Sequence, residues 1–143
     1  MRFELATPTR LLVSADVDEV VAPGTEGSFG VWPGHAPFLT TLGAGELMYR
    51  QGRQEHHLAV AGGFAEVTPD RVIMLAEQAE RPEEIDAGRA ERSQQRAEQR
   101  LAGRSPGGET EQTDFDRALA ALARALTRLL VAGRAGRSAE RSG

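Results

Sequence analysis

The sequence predicts an α+β protein, a β-rich N-terminal domain followed by an antiparallel two-helix hairpin, on three observations. Short apolar and β-branched runs crowd residues 1–77 and are parted by Gly, Pro and Asp at close intervals. Nine of the 16 glycines and five of the seven prolines fall in residues 1–80, where they punctuate turns. Beyond Glu80-Arg81-Pro82 the composition shifts to alanine, arginine and glutamate with helical periodicity.

The strand-like runs are Phe3–Ala6, Arg10–Ala15, Val17–Ala22, Ser28–Val31, Glu46–Gln51, Glu55–Ala61, Phe64–Val67 and Val72–Glu77. So many short strands in so short a stretch suggest a compact sandwich or flattened barrel over residues 1–80. Gln51-Gly52-Arg53 and Pro69-Asp70 lie between pairs of runs and are natural hairpin tips.

A helical hairpin is expected over residues 81–133. Pro82 suits a first helical position and Glu83 and Glu84 suit the positive end of the helix dipole, so a first helix is expected over about 82–102. Gly103 to Gly108, with Pro106, breaks it. Thr113 or Asp114 can cap a second helix over about 114–132, ended by Gly133 and Gly136, and residues 134–143 read as a flexible tail. Phe115, Leu119, Leu122, Leu126 and Leu129 form one apolar stripe of the second helix, with Arg117, Arg124 and Arg128 grouped opposite. The first helix offers only Ile85 and Leu101 as large apolar residues, with a small-residue seam at Ala90, Ala97 and Leu101. At about 25 cal/mol per Å² of buried apolar surface, such a hairpin is weakly held and its mobility is expected.

Composition narrows the functional classes. The chain has 143 residues, 40% of them apolar, and no cysteine, which removes disulfides, thiol catalysis and cysteine-based zinc sites. Charges interrupt every apolar run near the N-terminus, so it reads as neither a signal peptide nor a membrane span. Residues 1–80 carry 5 Arg against 11 acids, a net of −6, and residues 81–143 carry 12 Arg against 10 acids, a net of +2. All 17 basic residues are Arg, which supplies rigid forks for carboxylate or phosphate. His56 and His57 are adjacent in a strand-like run, so their side chains point to opposite faces and do not readily share a metal. No Ser-His-Asp set, Walker loop or HExxH is legible, and Gly24-Thr25-Glu26-Gly27 lacks the Lys and following helix of a phosphate loop. Autonomous catalysis, a metal site and a required cofactor are not expected.

Residues 24–40, GTEGSFGVWPGHAPFLT, hold the most specific local signal. The loop Pro33-Gly34-His35-Ala36-Pro37 resembles the signature loop of the epsilon subunit family of F-type ATP synthases. Ala61–Val67 resembles the family's SGGF-x-EV strand, Val72–Glu77 its following strand, and Ile85–Ala90 (IDAGRA) its I/L-D-x-x-R-A motif. Four pieces stand in the right order over much of the chain. The resemblance implies a ten-stranded β-sandwich followed by the helix pair. It also implies a non-catalytic place in the central stalk, at the cytoplasmic face of a bacterial membrane, with the gamma subunit and the membrane rotor ring as partners. The chain would help couple proton flow to ATP synthesis, and its C-terminal helices would restrain ATP hydrolysis through the alpha and beta subunits.

By matching position, the resemblance also nominates residues. Glu80, Asp86, Arg89, Arg96, Arg124 and Arg128 match positions that hold ATP in family members whose folded hairpin binds it. Glu26, Gly27, Ser28, Pro33, Gly34 and His35 match the partner-binding loops, and Arg117 belongs to the helix that reaches the catalytic head. Ser28 departs from the second acid that many members carry there. His35, between Gly34 and Ala36-Pro37, can be a ligand, a base or a turn-stabilising hydrogen-bonder, and the last is favoured. Two alternatives stand beside the stalk reading: a free-standing ATP sensor built on the same hairpin, and a small carbohydrate- or metal-binding sandwich enzyme.

Overall fold

A computed structural model describes residues 1–103 and 109–135, residues 109–111 by their backbone. Eight strands precede two helices: β1 (Arg2–Ala6), β2 (Leu11–Asp16), β3 (Glu19–Gly24), β4 (Gly27–Val31), β5 (Phe38–Thr41), β6 (Gly45–Gln51), β7 (Gln54–Thr68), β8 (Arg71–Glu80), α1 (Ala87–Ala102) and α2 (Glu109–Ala132). The strands follow one another across the sheet in the order β2-β1-β8-β7-β6-β3-β4, with β5 also paired to β7. β1 and β8 run parallel, and the other pairings are antiparallel.

Strand alternation builds the core. On the inner face, Phe3, Val72 and Val67 stand side by side across β1, β8 and β7, and Leu5, Met74 and Ala65 form the next row. All six are at most 1% exposed. Val20, Val31, Leu47, Leu58 and Val60 close the same core from the remaining strands. Every residue of this cluster lies between Phe3 and Ala79, so the β-domain owns its hydrophobic core without the helices.

β7 joins two runs that the sequence separated. The expected break at Gly62-Gly63 is a bend inside one 15-residue strand. Its first arm pairs with β6 and its second with β5, while β8 follows along the other edge. Counting β7 and β8 as two strands each, one on either side of the bend, gives the ten of the expected sandwich. The bend requires glycine. Gly63 has φ +106°, and a Cβ there would lie 1.9 Å from the carbonyl oxygen of Leu75. β5 itself went unassigned in the sequence, because Phe38-Leu39-Thr40-Thr41 is short and sits behind a Pro-Gly-rich loop.

The helices differ from expectation at their starts. Pro82–Glu84 forms a separate 3-10 turn, Ile85 is extended, and Asp86 caps α1 by accepting the Arg89 N–H at 3.0 Å. The turn is pinned: Arg10 Nη2 and Arg81 Nη1 both donate to the Glu84 carboxylate, and Arg81 Nη2 donates to the Leu12 carbonyl at 2.6 Å. That clamp holds Glu84 to β2, and a helix continuing straight from Pro82 would break it. α2 starts at Glu109, before the expected caps Thr113 and Asp114, where Gln112 instead bonds Asp116 one turn on. Residues 104–108 of the expected interhelical turn and 136–143 of the expected tail lie outside the described residues.

The hairpin is sealed by alanines. Ala90 and Ala97 of α1 and Ala118 and Ala125 of α2, each pair seven apart, are at most 2% exposed. Small side chains let the two helices approach closely and keep one face each inward. The expected stripe on α2 is therefore rotated: Phe115, Leu122 and Leu129 are partly buried, whereas Leu119 and Leu126 are 43% and 47% exposed.

Candidate functional site

The junction between α2 and the β-domain is held by arginine forks. Arg128 donates from Nε to Glu80 Oε1 at 2.7 Å and from Nη2 to Glu80 Oε2 at 3.1 Å. Beyond the helix end, Arg134 donates from Nε to Glu46 Oε2 at 2.9 Å and from Nη2 to Glu46 Oε1 at 3.0 Å. Two parallel N–H···O bonds fix geometry as well as charge, which a lysine cannot do. The Glu46 bonds also raise the Arg134 pKa. The flexible tail expected from residue 134 thus begins with an anchored side chain. Val131, fully buried, packs between the two forks in sequence.

The six nominated nucleotide residues divide into two groups. Glu80, Arg124 and Arg128 line one narrow cleft, with a cavity volume of about 10 Å³, together with Ala59, Val60, Ala61, Gln78 and Thr127. Pockets for drug-sized ligands run to roughly 300–1,000 Å³, so the cleft in this arrangement is small for a nucleotide. Asp86 is spent as a helix cap, Arg96 Nη2 donates to Ser93 Oγ at 3.2 Å, and Arg89 and Arg96 lie exposed on α1. The structure therefore brings together Glu80, Arg124 and Arg128 and leaves Arg89 and Arg96 outside that cleft.

The nominated partner loops are built by turn chemistry. Thr25 and Glu26 form the β3–β4 turn, Gly27 opens β4 at φ +127° opposite Gly24, and Ser28 follows opposite Pro23. Thr25 is tied to Thr41 by a backbone bond at 3.1 Å and a hydroxyl pair at 2.6 Å, which anchors this hairpin to β5. In the next loop, Gly34 at φ +86° donates its N–H to the Pro69 carbonyl at 2.7 Å. His35 donates its N–H to the Trp32 carbonyl at 3.2 Å, and its Nδ1 pairs with the Ala36 carbonyl oxygen at 2.8 Å. Its ring lies 5.2 Å from that of Phe38, which meets Phe29 edge-on at 5.4 Å. These bonds give His35 the turn-stabilising place. Trp32 stands 52% exposed at the loop's start, and Arg117 is exposed on α2.

One surface escaped the sequence reading. Leu11, Ala6, Leu75, Phe64 and Thr41 form a lateral row across β2, β1, β8, β7 and β5, and Leu39 lies two residues from Thr41 on the same face. Leu11, Leu39, Phe64 and Leu75 are 60%, 69%, 46% and 44% exposed. Four large apolar side chains gathered on one sheet face mark an interaction surface. The four belong to four different strands, so only the register could assemble them.

The chain is similar to known proteins along both of its parts. A family model described as the ATP synthase delta/epsilon chain β-sandwich domain matches residues 1–82, and one for that chain's long α-helix domain matches residues 83–133. An ATP synthase epsilon chain of Nitratidesulfovibrio vulgaris is 50% identical over 94% of this chain and 97% of its own length. An epsilon chain of Syntrophotalea carbinolica is 45% identical over 96% of each. A chain in the Euglena gracilis mitochondrial ATP synthase, a structure containing OSCP, F1 and the c-ring, superposes with a TM-score of 0.72 at 24% identity, covering 90% of this chain and 79% of that one. A chain in the central stalk and c-ring structure from Tetrahymena thermophila gives 0.64 at 13% identity, covering 90% and 95%. Both solved structures share the fold. Among the described residues, no helix is long and apolar enough to cross a membrane.

Proposed function

The chain belongs to the ATP synthase delta/epsilon chain family, and on that premise we propose that it serves as a non-catalytic epsilon subunit in the central stalk of an F-type ATP synthase, coupling proton flow to ATP synthesis and restraining ATP hydrolysis through its helices. The observation that carries this reading is the match of both family domains, in order, over residues 1–82 and 83–133.

The surfaces suit a division of labour. The apolar face of Leu11, Leu39, Phe64 and Leu75 is a dry platform for the gamma subunit. The loops carrying Glu26, Gly27, Ser28, Pro33, Gly34 and His35 face the rotor ring. From Arg117 to Arg141 the chain has six Arg and one acid, a charge of +5 for contact with acidic surfaces of alpha and beta. Membrane association is then indirect, at the cytoplasmic face of a bacterial membrane, through the complex. The test is purification of the tagged native chain. Co-purification with alpha, beta and gamma supports the assignment, and recovery of the chain alone sinks it.

Regulatory ATP binding is a second reading, favoured by Arg124 and Arg128 lining one cleft from successive turns of α2. A nucleotide there has to take Arg128 from Glu80 and draw Arg89 and Arg96 in from α1. A ligand shifts such an equilibrium only by binding one arrangement better than the other. Calorimetric titration of the isolated chain with ATP decides it: no heat beyond dilution removes the reading.

A further inference from the structure

Beyond the stalk assignment, and standing on the isolated chain, we propose that the Arg134–Glu46 pair is a latch for the C-terminal end of α2 and that protonation of His57 opens it.

The geometry centres on one oxygen. Arg134 Nε donates to Glu46 Oε2 at 2.9 Å, and His57 Nδ1 lies 3.6 Å from the same Oε2. The His57 side chain is 13% exposed, and its Nδ1 is buried with no hydrogen-bond partner among the described residues. On the other side of the ring, Nε2 lies 3.6 Å from Glu55 Oε2. A neutral ring carries a single N–H, on Nδ1 or Nε2, and no charge. A protonated ring is a cation between two carboxylates, donating toward the oxygen that Arg134 already holds.

Two cations then share one acceptor at a partly buried site, where the Arg134 and Glu46 side chains are 30% and 19% exposed. The proton on His57 and the guanidinium of Arg134 disfavour each other, and by linkage each weakens the binding of the other. The sign follows. Docking is supported while His57 is neutral and weakened once the ring carries a proton, so it falls as the solution becomes acidic.

The other charged and titratable groups around the ring leave this competition in place. On β7, Glu55 welcomes the proton, and His56 is held below its ordinary value first by burial and then by His57, so it stays neutral in its stack on Tyr49 at 4.7 Å. On β6, Arg50 faces Glu55 in register but binds Glu19 at 3.3 Å. A second cleft, beside the His57 ring, is lined by Arg81, which caps the 3-10 turn and is engaged with Glu84, by Glu83 of that turn and by Tyr49 of β6. Upstream, Arg128 remains on Glu80, so acid frees the last turn of α2 before the rest of the helix.

The chain has no cysteine, so two introduced ones report cleanly. A donor and an acceptor dye on Arg53→Cys and Ala135→Cys of the full chain measure docked against released ends by energy transfer at pH 8 and pH 5.5. The expected docked-to-released ratio falls about tenfold in acid. In His57→Gln and in Glu46→Gln the ratio is expected to be independent of pH, and Arg134→Gln is released at both values. A flat ratio in the unsubstituted background, an acid response that persists in His57→Gln or Glu46→Gln, or a docked Arg134→Gln overturns the proposal.

Discussion

Arg128 and Glu80 hold each other by two parallel bonds of 2.7 and 3.1 Å, with side chains 23% and 30% exposed. Both residues are among those the family resemblance nominates for ATP, so in this arrangement they satisfy one another. The pair joins the end of β8 to α2 and makes hairpin docking depend on a charged contact at the mouth of the cleft. Removing one partner leaves a partly buried charge unpaired. Arg128→Ala is expected to weaken docking of α2 by roughly 1–3 kcal/mol. Faster amide exchange in α2, with the β-domain unchanged, is the readout.

The nucleotide reading predicts that Arg89→Ala lowers ATP affinity about ten- to hundredfold, by deleting one charge-assisted clamp from α1. Calorimetry on both chains checks it, and equal affinities remove Arg89 from the site. Asp86→Ala also removes the α1 cap and is expected to lower the helicity of α1 along with any ATP contact.

The outer apolar face predicts a separable defect in assembly. Phe64→Glu and Leu75→Glu place charge on neighbouring strands where neither side chain contributes to the core. Both variants are expected to keep the wild-type melting temperature within a few degrees and to lose gamma in pull-down. Retained gamma binding would move that interface elsewhere.

Gly63→Ala is expected to destabilise the β-domain by roughly 2–4 kcal/mol, because it combines a positive φ with overlap against the Leu75 carbonyl. Denaturant unfolding measures the difference. The buried cluster Phe3 to Ala79 conversely predicts that a fragment ending after Arg81 folds on its own, with the strand signature in circular dichroism checking it.

The Glu84 clamp has a pH signature. Its carboxyl is held below the ordinary value, first by the hydrogen bond from Arg10 and further by Arg81. The anchoring is therefore fully present above the ordinary carboxylate range near pH 4.3 and is lost as pH falls through the lowered value. Exchange of the amides of residues 83–85 should accelerate below that range, and Glu84→Gln should remove the transition.

Much of the fold was legible because turn residues and apolar periodicity are local signals. The hairpin tips at Gly52 and Pro69-Asp70, the Ala90 and Ala97 seam, and the change of structure near Glu80 all follow from neighbours in the chain. What escaped depends on partners far away. The 3-10 turn at Pro82 exists because Arg10, more than seventy residues earlier, holds Glu84. The α2 stripe rotated because close Ala-Ala packing outweighed the larger leucines, a choice that only the facing helix can make. For the site, the Glu80–Arg128 partnership lay within the nominated residues. Glu46, His57 and Arg134 were missed because they meet across strand pairing and a helix end, and their spacing in sequence carries no motif.

The bend at Gly62-Gly63 gives β7 the character of a rocker. On one arm the strand carries His57, beside the fork that holds the end of α2; on the other it presents Phe64 to the outer face. Because the backbone runs unbroken through the pivot and β8 pairs with it on both sides of Gly62, the surface that receives the helices and the surface turned to the outside are two ends of one element. A partner seated on one end changes the footing of whatever rests on the other, with no need for a message to cross the core.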